Sequence, residues 1–293
     1  MPEPEVLSGN TLAELIRAPD LIVHLEALQA IADANDGNRA TGSAGFEASV
    51  DYVASELVAA GYFVERVAFA AGGVPSTNLI AELPGSQDAV IMLGAHLDSV
   101  VAGPGINDNA SGVAALLVIA ERLAGLPAPQ RTVRFAFWGA EEGGPFGSAA
   151  YVDALDPAGR DRIGAYLNFD MLASPNAVRF VYDEAGAVPG SDRLTDLFAA
   201  TMERAGLASE PIDLEGDSDH GPFSEAGIPT GGLFSGGFEP VTDAQAEAFG
   251  ARAGEPADPC SHRACDTIDN VDADTLEAMT QIIARVLVEL AAP

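Results

Sequence analysis

Two hundred and ninety-three residues, 48% of them hydrophobic, are enough to bury one sizeable core, which excludes a miniprotein or a wholly disordered tail. Forty-four acidic residues stand against fourteen basic ones, every one of them Arg, and leave a net charge of −30. Such a surface repels phosphate and excludes nucleic acid and anionic membranes as partners, because both are held through Lys and Arg.

In chain order, residues 1–10 are expected to form a flexible N terminus. Met1-Pro2-Glu3-Pro4-Glu5 lacks the basic and apolar regions of a signal peptide, which leaves either a cytosolic protein or a secreted one without its leader. Val50, Val53, Leu57 and Val58 recur at helical spacing before Gly61, a residue suited to a left-handed cap. Phe63 to Phe69, Leu79 to Leu83, Val90 to Gly94, Val133 to Trp138, Ala165 to Phe169 and Val178 to Tyr182 read as strands, being short apolar or alternating runs bounded by turn formers. Gly112 to Leu123 and Asp192 to Ala205 read as helices, and Leu276, Met279, Ile283, Val286 and Leu290 line one face of a last one. The run from Gly112 to Ala120 is too short to cross a membrane before Glu121 and Arg122 interrupt it. Gly231 to Pro259 reads as a loop-rich rim. Strands alternating with helices predict an α/β fold with a mixed, mostly parallel sheet covered on both faces, and ligands then bind beyond the carboxyl ends of the strands. With no repeat, low-complexity block or linker, a single domain over residues 1–293 is expected.

Those strand ends carry the chemistry. Val90 to Ala95 runs into His96 and then Asp98; residues two apart share one side of an extended strand, so Asp98 can accept the second ring N–H of His96 and fix its tautomer. Alone, this would equally describe a core histidine with a local hydrogen bond. Asp108 sits in a loop of turn formers at the start of the Gly112 helix, where a capping role would suffice. Glu141 and Glu142 follow the Arg134 to Trp138 strand; two adjacent carboxylates repel unless a cation or a shared proton relieves them, or unless both are solvated. Tyr166 to Phe169 ends in Asp170. Cys260 and Cys265 lie around His262, a spacing that suits a disulfide closing a tight loop better than a zinc knuckle, with free thiols as the alternative. A disulfide would imply an oxidising compartment. Two histidines with several carboxylates suit zinc, with manganese or cobalt as substitutes, and the donors suffice for two ions sharing one bridging carboxylate.

The strings GAHLDS, GINDNASG, WGAEEGG, YLNFDM, SDHGPF, GGLF and CSHRACD together resemble the clan MH zinc aminopeptidases, most closely their secreted Streptomyces-type leucyl aminopeptidase group. The likeness extends from Gly37-Asn-Arg-Ala-Thr-Gly and Ala48-Ser-Val-Asp-Tyr-Val to the final helix. It implies a secreted, monomeric metalloaminopeptidase that holds two zinc ions and hydrolyses the first peptide bond of peptides with a free N terminus. By the resemblance, His96 and Asp170 hold one zinc, Glu142 and His262 the other, and Asp108 bridges them. Glu141 is then the general base, Asp98 lies behind His96, and a cis peptide follows Asp108. Met171, Gly216 and Phe234 match a side-chain pocket for large hydrophobic N-terminal residues such as Leu. The sequence departs from the family at Ser261, where a tyrosine that stabilises the oxyanion is usual, and at Asp217, where a basic residue is usual. A calcium site is also implied, with Asp272, Asp274 or Glu277 as candidates. A glutaminyl cyclase-like single-zinc enzyme and a non-catalytic interaction module are the competing readings; both fit less well, because all five ligand positions and Glu141 are present.

Overall fold

Apolar runs bounded by turn residues build the centre of an eight-stranded sheet. The structure, a computed structural model, describes residues 7–183 and 188–292. Its strands are β1 (Phe63–Ala71), β2 (Val74–Leu83), β3 (Gln87–His96), β4 (Arg131–Trp138), β5 (Ile163–Phe169), β6 (Phe180–Tyr182), β7 (Glu210–Ile212) and β8 (Thr230–Phe234). They lie in the order β1-β2-β4-β3-β5-β8-β6-β7. β4, β3, β5 and β8 are mutually parallel, with an antiparallel β1–β2 hairpin on one flank and β6 antiparallel to β8 on the other. The expected α/β architecture is therefore present.

The helices are α1 (Gly9–Glu14), α2 (Ala18–Ala34), α3 (Ala44–Ala59), α4 (Ser111–Ala124), α5 (Phe146–Ala154), α6 (Pro157–Arg162), α7 (Ser191–Arg204), α8 (Gly221–Glu225), α9 (Asp243–Phe249) and α10 (Ala273–Ala291). Successive side chains of a strand point to opposite faces, and the central strands divide accordingly. Ile91, Leu93 and Ala95 of β3, Phe135 and Phe137 of β4, and Leu167 and Phe169 of β5 join the larger core with α1 to α4, α7 and α10. Val90, Met92, Trp138 and Tyr166 face a smaller core with Val152 of α5 and Phe223 of α8. Continuous apolar runs were to be expected for strands covered on both faces. α4 is buried nearly all round, every residue from Val113 to Ala120 being fully buried, which anchors the loop preceding it.

Several boundaries differ from the sequence expectation. Ser8 accepts the N–H of Thr11 and starts α1 at Gly9, inside the segment expected to be flexible; residues 1–6 lie outside the described residues. The segment expected to be loop-rich contains α9, which a capping box between Thr242 and Gln245 initiates. Among the described residues no helix is long and apolar enough to cross a membrane.

Candidate metal centre and active site

The carboxyl ends of β3, β4 and β5 are neighbours in the sheet, so the residues that terminate them converge. His96 is the last residue of β3, and the N–H of Leu97 continues the pairing by donating to the Trp138 carbonyl at 2.7 Å. Asp170 follows β5 directly. Non-glycine residues with positive φ turn the chain at three corners: Ala140 (φ 63°) before the glutamate pair, Met171 (φ 52°) after Asp170, and His262 itself (φ 56°). Such conformations are unfavourable for residues with a Cβ and persist where the surroundings enforce them.

Asp108 lies between the two histidines. Its Oδ1 is 3.2 Å from His96 Nε2 and its Oδ2 is 3.1 Å from His262 Nε2. Asp170 Oδ1 stands 3.3 Å from His96 Nε2, and Glu142 Oε2 stands 3.3 Å from His262 Nε2. Two three-donor sets thus share one carboxylate, an oxygen to each. With metal–ligand bonds of about 2.0–2.1 Å, tetrahedral donors sit about 3.3 Å apart, and these separations match that edge. Asp170 Oδ1, the oxygen beside His96, is buried and accepts no hydrogen bond from any described residue, as an oxygen reserved for an ion would. The residues present fit bound metal.

The surrounding polar groups fix these donors. The Asp266 carboxylate accepts the N–H groups of Asn107 (2.8 Å) and Asp108 (3.0 Å). Asn109 donates to the Phe169 carbonyl at 2.9 Å and accepts from the N–H of Met171 at 3.2 Å, tying the Asp108 loop to the Asp170 corner; the Asp108–Asn109 peptide is cis. Gly112 permits this closeness, since a Cβ there would lie 2.4 Å from the Phe169 carbonyl oxygen. A buried hydrogen-bond chain runs from Trp138 through Tyr166, Asn168 and Ser218 to Asp170 Oδ2, its last step 2.9 Å long. The disulfide Cys260–Cys265 closes the loop that presents His262, resolving the alternative with free thiols.

Asp98 behaves differently from the strand-alternation expectation. His96 Nδ1 bonds its main-chain carbonyl at 3.1 Å, while its carboxylate is 3.8 Å away and instead accepts the N–H groups of Glu141 (3.1 Å) and Glu142 (3.4 Å). The turn at Ala140 aims those N–H groups back at the carboxylate, which therefore orients the glutamate pair. Sequence reasoning assigned no role to Asp266, Asn107, Asn109 or Ser218; their partners lie tens to more than a hundred residues away, where no local pattern reaches.

Electrostatics follow from burial and crowding. Burial opposes the charged ring of His96, but Asp170, Glu141 and contacts to Asp108 outweigh it and raise its pKa. Burial would raise Asp108, yet its contacts with His262 and His96 pull it well below the usual carboxylate range. His262 is pushed up to about 9, chiefly by its hydrogen bond to Asp108, and burial together with Asp108 pushes Glu142 up to about 8. Burial also raises Glu141, with Asp170, Asp219 and Asp108 adding to it against the opposing pull of His96. Metal-free protein at pH 7 therefore holds protons on His262 and Glu142 that a cation must displace. Zinc binding is expected to release at least one proton at pH 7 and to tighten as pH rises through about 8 and then about 9, where Glu142 and His262 in turn give up their protons. Calorimetric titration in buffers of different ionisation enthalpy reads that proton count, and a count of zero would contradict the assignment.

The centre opens into a cleft of about 720 Å³, lined by Glu141, Met171, Phe180, Phe234 and Ser261 among others. Met171 and Phe234 thus line this cleft, whereas Gly216 does not, although Leu214 and Asp217 do. Of the calcium candidates, Asp272 caps α10 through the N–H of Thr275 and Glu277 accepts the N–H of Ala18.

A mixed α/β sheet with an imidazole–carboxylate centre at its carboxyl edge, opening into a cleft, defines the class of this protein: an α/β protein whose donor set suits a metal site. The chain belongs to peptidase family M28, whose model matches residues 78–287. It is 44% identical over 274 residues to leupeptin-inactivating enzyme 1 of Streptomyces exfoliatus, covering 92% of this chain and 61% of that protein. The chain spans about half the length of the curated relatives it matches. Among solved structures, BSAP, a zinc aminopeptidase from Bacillus subtilis, superposes with a TM-score of 0.62 at 27% identity, covering 74% of this chain and 51% of that one. The aminopeptidase from Aneurinibacillus sp. strain AM-1 shares the fold at a TM-score of 0.80 and 18% identity, over 98% of this chain and 97% of that one.

Proposed function

We propose that this protein is a zinc-dependent aminopeptidase, a secreted single-domain monomer that removes hydrophobic N-terminal residues such as Leu from peptides with a free N terminus. The observation that carries the reading is the pair of donor sets, His96–Asp108–Asp170 and His262–Asp108–Glu142, sharing one carboxylate at the head of the cleft. These five side chains would hold two zinc ions, and membership of family M28 supports the assignment. Bound zinc supplies Lewis acidity that polarises a carbonyl and makes water acidic enough to attack it near neutral pH.

The remaining chemistry belongs to the chain. Glu141 lines the cleft with its Oε2 4.0 Å from His96 Nε2, outside both donor pairs, so its carboxylate is free to accept a proton from the attacking water and pass it to the leaving amine. Its raised pKa suits both halves of that transfer. The carboxylates of Asp108, Glu141, Glu142 and Asp170 favour a cationic α-amine at the cleft head, which restricts hydrolysis to the first peptide bond. Met171, Phe180 and Phe234 offer apolar contact to the first side chain. Ser261 contributes a small hydroxyl at the position of the family's tyrosine, and a missing oxyanion donor elsewhere slows turnover by about 10²- to 10³-fold, so slow turnover of small substrates is expected.

The reading is tested by release of free amino acid from a Leu-terminated peptide and from its N-acetylated twin, with and without a chelator. Chelator-sensitive cleavage of the free peptide alone, restored by zinc, is the expected outcome. Equal cleavage of both peptides, or turnover that survives metal removal, would reject it.

A further inference from the structure

Away from the cleft, three helices of the larger core bring a histidine and two glutamates together. His24 of α2, Glu56 of α3 and Glu121 of α4 each place a ligand atom within 4.8 Å of the others, and none of the three lines the cleft. His24 is only 4% exposed, so its ring is held by its surroundings and not by solvent. Nδ1 lies 2.7 Å from Tyr52 Oη, which occupies one ring nitrogen and turns the other, Nε2, toward Glu121 Oε1 at 3.2 Å. A metal-ligating imidazole has this arrangement: the nitrogen away from the ion donates its N–H to an oxygen, which fixes the tautomer and leaves the other lone pair free. The 3.2 Å separation equals the donor–donor edge in the cleft. In a chain of net charge −30, bringing two carboxylates together is unfavourable unless a cation offsets them, and among the described residues no arginine pairs with either glutamate.

We infer that His24, Glu56 and Glu121 form a further divalent-cation site, clamping α2, α3 and α4 together. One imidazole and two carboxylates make a nitrogen-and-oxygen set of the kind that zinc, cobalt or manganese takes, with water completing the shell. Glu121, a quarter exposed, provides the entry path. The site binds an ion that stabilises the helical layer and takes no part in the reaction.

The experiment is metal analysis of protein equilibrated by dialysis against micromolar zinc. Wild-type protein is expected to hold one more zinc per chain than either His24→Gln or Glu121→Gln protein, and the difference of one is read whatever number the cleft holds. Zinc should also raise the unfolding temperature of Asp108→Ala protein, and the added His24→Gln change should abolish that rise. Glu121→Gln alters a partly exposed side chain without opening the core, so it decides the matter should the His24 variant fold poorly. Equal zinc content in wild-type and Glu121→Gln protein would overturn the site and identify the cluster as a plain histidine–glutamate pair.

Discussion

Glu141→Gln protein is expected to lose about 10²- to 10⁴-fold in kcat while keeping the zinc content of the wild type. The substitution preserves volume and the main-chain N–H that donates to Asp98, so the turn that carries Glu142 stays in place. What disappears is a basic oxygen at the cleft head. Neither donor pair includes Glu141, whose closest approach to His96 Nε2 is 4.0 Å, so ion binding should not depend on its charge. Steady-state kinetics with a Leu-terminated peptide, alongside metal analysis of the same preparation, separates the possibilities. Near-normal kcat would remove Glu141 from the role of base, and loss of an ion would make it a ligand instead.

Asp108→Ala acts on both donor sets at once. Asp108 is 6% exposed and gives one oxygen to each histidine, so its loss cuts each set from three protein donors to two. Two donors are fewer than zinc sites ordinarily use, and both ions are expected to leave during dialysis, with peptide hydrolysis falling to background. Circular dichroism establishes that the variant is folded, which the independent anchoring of α4 in the core leads us to expect. Two tightly held zinc ions in folded Asp108→Ala protein would contradict the bridging assignment.

Much of the sheet was legible because burial on both faces forces a readable pattern. The apolar runs of β3, β4 and β5 stop at His96, Trp138 and Phe169, and polar groups at the end of a buried strand stand out against them. α2 carries a comparable pattern at Leu21, Leu25 and Leu28, but His24 on the same face weakens it, and no helix was anticipated there. The last helix followed from periodicity alone, and strands were expected at Phe63 to Phe69 and Leu79 to Leu83, but their antiparallel pairing and the start of β2 at Val74 were not.

The sequence by itself determined which residue types terminate the central strands, the strongly acidic net charge, and the cysteine spacing that admits a tight loop. Tertiary structure decided how distant loops meet. It brings His262 to Asp108, turns the carboxylate of Asp98 away from His96 and onto the Glu141 and Glu142 N–H groups, and sets Asp266 beneath the Asp108 loop. The reason is physical: alternation and helical spacing report which face of one element is buried, whereas the meeting of loops 158 residues apart depends on the packing of every element between them.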